Sequence, residues 1–164
     1  MAHAIVVMGV SGAGKSVVGS ALAAGLGAAF TDADSLHPKA NVEKMRAGIP
    51  LNDADRQPWL GLVGAKLADA GPQGMVVACS ALKRGYRDAI RSKAPETQFI
   101  LLDVDVPVLR ERLLQRPGHF MPASLLASQL ETLEPLEADE AGLVITAEKG
   151  IEETVIGIQQ RMTA

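Results

Sequence analysis

With 164 residues, 48% of them hydrophobic and 21% charged, the chain suits one globular core and is too short for two ordinary domains. A formal net charge of −3 and the lack of any Lys/Arg run argue against nucleic acid or an anionic membrane as partner. A single cysteine, Cys79, excludes an internal disulfide, no apolar run nears a bilayer span, and Met1 to Val10 lacks a basic leader, so one intracellular, cytoplasmic domain over 1–164 is expected.

In chain order, Ile5 to Met8 is a short apolar run ended by Gly9. A glycine-rich turn follows, and then Val18, Ala21, Leu22 and Gly25 at helical spacing, which predicts strand, loop and helix. Ala28 to Phe30 leads as a second strand into the polar tip Thr31-Asp32-Ala33-Asp34. From about 37 to 71 the pattern is helical with breaks, with Pro38 at a first helical position, a turn at Gly48 to Pro50, and Asp53 or Asp55 as the cap of a helix through Leu60, Val63 and Leu67.

Met75 to Cys79 and Phe99 to Leu102 are continuous apolar runs of the kind found in parallel strands covered on both faces. A helix from about Pro107 to Gln115, a loop Arg116 to His119, and a helix from about Ala123 to Leu133 come next. Leu143 to Ile145 is a fifth strand, and Ile151 to Met162 a closing helix. Strands alternating with helices predict an α/β fold with a parallel sheet, whose ligands bind at the carboxyl ends of its strands.

Gly9 to Ser16, GVSGAGKS, fits the phosphate-binding pattern GxxxxGK[ST] between a predicted strand and a predicted helix. Glycines let the backbone N–H groups of Gly9, Val10, Ser11, Gly12, Ala13, Gly14, Lys15 and Ser16 turn inward around phosphate oxygens, and the following helix N-terminus favours negative charge. Lys15 reaches the outer phosphates and Ser16 supplies a hydroxyl for Mg²⁺, which makes Mg-ATP the expected cofactor. An empty glycine turn is the rival reading, and the strand–helix context weighs against it. A GTPase would add an NKxD segment, which is absent.

Asp32 and Asp34 stand two apart at a strand end, so one carboxylate can hold Mg²⁺ through water while the other orients and deprotonates an acceptor hydroxyl. A solvated strand end with an N-capping Asp is the plain alternative for either alone. Arg56 opens a helix, and Lys83, Arg84 and Arg87 follow the third strand, where cations suit an anionic acceptor. In a helix Lys83 and Arg87 share a face while Arg84 points elsewhere, toward solvent. His119 is ambiguous alone. Arg112 and Arg116, four apart, lead into the Pro117-Gly118 loop, where arginines on a closing lid of about 112–124 would stabilise the spreading negative charge of phosphoryl transfer. An ordinary exposed helix face competes with that role.

Together GVSGAGKS at 9–16, TDADSLHP at 31–38, NVEKMRAGIPLNDADRQPWL at 41–60, ACSALKRGYRD at 78–88 and RPGHFMPASLLASQLETLEP at 116–135 resemble the gluconokinase family. The resemblance implies a three-layer αβα P-loop fold of the nucleoside-kinase and shikimate-kinase kind, with a five-stranded parallel sheet, a helical acceptor-binding region at about 37–71 and a lid. It further implies transfer of the ATP γ-phosphoryl group to the 6-hydroxyl of D-gluconate, and a homodimer. Carried over by position, Ser16 and Asp32 manage Mg²⁺, Asp34 is the base, Arg56, Lys83, Arg87 and His119 hold the acceptor with Asp34, and Lys15, Arg112 and Arg116 serve catalysis. Val17 stands where many such loops carry Thr, a small departure because Ser16 retains the required hydroxyl.

A shikimate-kinase-like enzyme would carry a glycine-rich turn after the third strand, where this chain has Ser80-Ala81-Leu82-Lys83. A nucleotide-monophosphate kinase would need aromatics to stack a base. A non-catalytic ATP-binding regulator would have no chemical need for Asp34, Lys83 and the lid arginines.

Overall fold

The computed structural model describes residues 3–115 and 123–163. Five strands, β1 (Ala4–Met8), β2 (Ala29–Asp32), β3 (Met75–Ala78), β4 (Gln98–Asp103) and β5 (Gly142–Thr146), form one parallel sheet in the order β2-β3-β1-β4-β5. The helices are α1 (Lys15–Leu26), α2 (Lys39–Arg46), α3 (Asp53–Ala68), α4 (Arg84–Lys93), α5 (Val106–Leu114), α6 (Ala123–Thr132) and α7 (Ile151–Thr163).

The period-2 geometry of β1 explains the three layers. Ile5 and Val7 point into one core with Leu22 of α1 and Ile158 of α7, while Val6 and Met8 point into a second with Leu60 and Val63 of α3 and Ile90 of α4. Both faces of the central strand are therefore sealed, and its polar backbone is satisfied only by the ladders to β3 and β4. Parallel pairing aligns every carboxyl end on one edge: Val7 and Asp32 both pair with Ala78, so the loops after β1, β2 and β3 open at one level. The chain passes from β1 outward to β2 on one side and from β3 across to β4 on the other. That reversal places the crevice of an α/β sheet next to the β1 loop.

The fold follows the predicted order of strands, with three local differences. Asn52, not Asp53 or Asp55, caps α3: its side chain accepts from the Asp55 N–H at 2.8 Å while Asp55 accepts from the Asn52 N–H at 3.0 Å, a capping box. Asp34 lies in a 3₁₀ turn (Ala33–Leu36) beyond the strand, capped by Asp32. Helix α4, absent from the chain-order reading, begins after Lys83, whose extended backbone (φ −105, ψ 146) puts it outside the helix. Lys83 and Arg87 accordingly do not share a helix face.

Candidate active site

The loop from β1 to α1 is a phosphate cradle. Gly12 (φ 87) and Gly14 (φ 95) take left-handed backbone conformations that other residues resist, and Gly14 serves as the N-cap of α1 without a side chain in the way. Lys15 folds its ammonium back onto the Val10 carbonyl at 3.1 Å, over a cavity of about 210 Å³ whose walls include Ser11, Gly12, Ser16, Asp32 and Asp34. Behind the cradle a second cavity of about 380 Å³, lined by Gly12, Val17, Arg112 and Lys149, continues toward α7. Arg112 grips the loop from that side, donating to Gly12 and Ala13 carbonyls at 3.2 and 3.4 Å and to Ala147 at 2.7 Å. It borders this rear cavity and is not part of the phosphate or acceptor walls.

Asp32 and Asp34 meet the cradle through two different geometries. The Ser16 hydroxyl donates to Asp32 Oδ2, and Asp32 Oδ1 accepts from the Asp34 N–H at 3.0 Å, so the cap of the 3₁₀ turn and the partner of Ser16 are one carboxylate. Trp59 of α3 donates its indole N–H to the Ala33 carbonyl at 2.7 Å, which ties the turn carrying Asp34 to the acceptor helix. His37 stacks on Trp59 with ring centroids 4.2 Å apart. Burial against these groups draws the His37 pKa below its usual 6.5, Asp34 opposing and Arg56 reinforcing the shift, so the imidazole is neutral at pH 7. Its Nδ1 is met by the Asn41 amide at 3.2 Å.

A larger cavity, about 1050 Å³, opens beyond Asp34 between α3, the β3 loop and α6. Tyr86 stands at its wall with Arg56 and Lys83 over its ring at 5.5 and 5.6 Å. The Tyr86 hydroxyl donates to Asp53 at 2.6 Å, Lys83 lies 3.6 Å from the same carboxylate, and Arg56 is anchored by the Leu51 carbonyl at 2.8 Å. The hydrogen bond from Tyr86 outweighs the opposing desolvation and, with the charges of Lys83 and Arg56, holds the Asp53 carboxyl below its ordinary pKa. Two cations against one carboxylate leave this wall with a net positive charge, complementary to a monoanion.

Arg87 is elsewhere. It is fully buried, its guanidinium paired with Glu140 at 2.7 and 3.0 Å and donating to the Ala81 carbonyl at 3.0 Å and the Pro135 carbonyl at 3.3 Å. Its donors are spent on protein, and it is not among the acceptor-cavity walls, which corrects the expectation that it holds substrate. Burial would raise the Glu140 pKa, but hydrogen bonds from Arg87, the Glu137 N–H and Arg91 overcome it and hold the carboxyl down to about 2. The clamp fixes the β3–α4 loop, including Ala81 in a left-handed conformation (φ 44), and thereby Ser80 and Lys83 on either side of it. Arg84 stays at the surface, as expected, and there bridges to Glu137 and, at 2.6 and 2.9 Å, to Asp139.

The phosphate and acceptor cavities share Asp34, Ser80 and Gln129. Sequence reasoning assigned a role only to Asp34. His37, Trp59, Ser80, Tyr86 and Gln129 fall within the segments that resemble gluconokinases, which was the available signal, but none announces its chemistry by spacing. Arg116 and His119, and most of the expected lid, lie outside the described residues.

The chain is similar in sequence and fold to known proteins. A family model described as Shikimate kinase matches residues 11–156. A gluconokinase from Gluconobacter oxydans (strain 621H) is 51% identical over 148 residues, spanning 88% of this chain and 83% of that protein. The crystal structure of a gluconokinase from Sinorhizobium meliloti 1021 superposes with a TM-score of 0.88 at 46% identity, covering 98% of this chain and 91% of that one. A shikimate kinase from Bacteroides thetaiotaomicron shares the fold, with a TM-score of 0.74 at 18% identity over 99% of both chains.

Proposed function

The chain belongs to the gluconokinase family of P-loop kinases, and we propose that it transfers the γ-phosphoryl group of ATP to the 6-hydroxyl of D-gluconate, giving 6-phospho-D-gluconate and ADP. One observation carries the assignment of the reacting centre: Asp34 borders both the phosphate cradle and the acceptor cavity, whose far wall bears Arg56 and Lys83. An extended sugar acid lying between them would present its carboxylate to the cations and its terminal hydroxyl to Asp34.

Asp34 accepts the hydroxyl proton as the oxygen attacks, and Lys15 neutralises charge on the outer phosphates. Arg112, against the P-loop carbonyls, adds positive charge on the nucleotide side of the loop, and Arg116 is assigned the same catalytic role. Neutral His37 lines the acceptor cavity and offers a hydrogen bond to a substrate hydroxyl without adding charge, and His119 is assigned to the same acceptor.

The Ser16 hydroxyl and Asp32 carboxylate fit Mg²⁺: both are hard oxygen ligands, adjacent to each other and to the cradle. Among the described residues no cluster of three or more His, Cys, Asp or Glu forms a complete metal cage, which suits an ion completed by phosphate and water. When bound, Mg²⁺ would neutralise the developing phosphate charge. A single domain with its acceptor-binding region at about 37–71 and a lid at about 112–124, a homodimer, and a cytoplasmic setting complete the proposal. The net charge of −3 supports a small-molecule substrate without nucleic acid or membrane, and no described helix is long and apolar enough to cross a bilayer.

Asp34→Asn tests the assignment. It keeps the shape and removes the base, so turnover should fall about 100-fold or more with ATP affinity preserved. Collapse of ATP binding with turnover at saturation intact would instead make Asp34 a metal or structural residue.

A further inference from the structure

Gln129 of α6 is, with Asp34 and Ser80, one of the residues that line both cavities. The Ser11 backbone N–H, one of the donors of the phosphate cradle, donates to Gln129 Oε1 at 2.7 Å. A backbone N–H can only donate, so the orientation of the carboxamide follows: its oxygen faces the P-loop, and its NH₂ group is turned away from that contact. Among the described residues no group accepts from that NH₂, although Gln129 lines both the phosphate and the acceptor cavities. A half-buried amide with its oxygen committed and two donors left at the junction is well placed to meet the oxygens that cross it.

We propose that Gln129 is a phosphoryl-transfer residue: its Oε1 sets the P-loop at Ser11 while its Nε2 donates to an equatorial oxygen of the phosphoryl group in flight. This deepens the proposed function and rests on it. The sequence of events is an in-line transfer in which the acceptor oxygen bonds to the γ-phosphorus, the bond to the β–γ bridging oxygen breaks, the hydroxyl proton passes to Asp34, and ADP leaves. Gln129 forms and breaks no covalent bond. Its donor strengthens as charge spreads on the phosphoryl oxygens, so its effect belongs to turnover and not to ground-state binding. The same side chain links α6 to the P-loop, so the packing of that helix sets where the donor lies.

Two substitutions separate this role from mere packing. Gln129→Glu keeps an oxygen for the Ser11 N–H and the length of the side chain but replaces the donor with an acceptor facing phosphate. Gln129→Asn keeps both functional groups on a shorter stem, one that no longer spans the junction. Steady-state kinetics with gluconate and Mg-ATP should show kcat lowered by about 100-fold in Gln129→Glu, with the gluconate KM changed less than about threefold and the melting temperature retained. Gln129→Asn should lose at least about tenfold in kcat by the same reasoning. If kcat of Gln129→Glu stayed within about threefold of the parent, or if its loss were matched by a lowered melting temperature and recovered in full by Asn, the donor role would be overturned. Tighter ATP binding with unchanged kcat would also overturn it, by identifying Gln129 as a plug on the Ser11 amide. The parent enzyme, assayed alongside, keeps the two claims apart: failure of the parent on gluconate contradicts the substrate, whereas a fully active Gln129→Glu contradicts only the role of Gln129.

Discussion

Two groups of charged side chains, one containing Arg87 and the other Lys83 four residues before it, are put to opposite uses. At the clamp behind the β3–α4 loop, Arg87 and Glu140 have 0% side-chain exposure, and their groups are matched to each other and to backbone carbonyls and N–H groups. At the acceptor wall, Lys83 and Arg56 are about a third exposed, and the Asp53 carboxylate that faces them is 63% exposed. Saturated charge in a dry site specifies structure. Charge left in excess in a wet cavity is available to a ligand. The type of residue does not distinguish the two, since both regions use arginine and a carboxylate; the number of partners and the access of water do.

Breaking the buried clamp should have the largest effect. Arg87→Ala takes away the buried partner of Glu140, leaving the carboxylate to Arg91 and the Glu137 N–H, and should cost about 3 kcal/mol of stability. For a chain of this length that corresponds to a fall of roughly 10 °C in melting temperature, read by calorimetry or circular dichroism. A loss of gluconate affinity without a loss of stability would place Arg87 at the substrate after all.

Acid should expose the same clamp next. Glu140 is held at about 2 in the folded chain against an ordinary value of 4.5, so its contribution is complete above pH 4.5 and disappears as the pH falls from there toward 2. A pH series of unfolding curves should therefore show stability declining across that window. In Glu140→Gln the curve should start lower and decline less steeply.

Arg56→Ala and Lys83→Ala should act in the other direction, raising the gluconate KM by about 10- to 100-fold while moving the melting temperature by less than about 2 °C. Smallest of all is salt. Raising ionic strength from about 0.05 M to about 0.5 M should increase the gluconate KM a few-fold by screening the open wall, with no matching loss of stability from the dry clamp.

The contrast also shows what was legible in the sequence. The strands could be read because each is an apolar run sealed on both faces, and the cradle because GVSGAGKS encodes its backbone directly. Helix α4 was harder: Arg84 to Lys93 is dominated by charge, and only Tyr86 and Ile90 are apolar and buried, so a face held by the ion pair of Arg87 looks like a solvated one. The partner that reveals it, Glu140, lies 53 residues away, beyond any local pattern. Asp53 and Asp55 both suit a cap because acidic residues favour a helix start, but Asn52 supplies the cap and leaves Asp53 for Tyr86 and Lys83. Gln129 carries no signal beyond its place in a gluconokinase-like segment, because a lone amide on a helix acquires meaning only from the loop it faces.

In the proposed reaction the positive wall, Asp34 and the cradle together select and phosphorylate a sugar acid. The direct measurement is ADP release by the purified protein with Mg-ATP, with gluconate, shikimate, glucose or no acceptor, and with the phosphorylated product identified. Turnover with gluconate should far exceed that with the other three and put phosphate on its 6-hydroxyl; equal turnover with neutral glucose, or none with gluconate while shikimate reacts, would rule out a sugar-acid site.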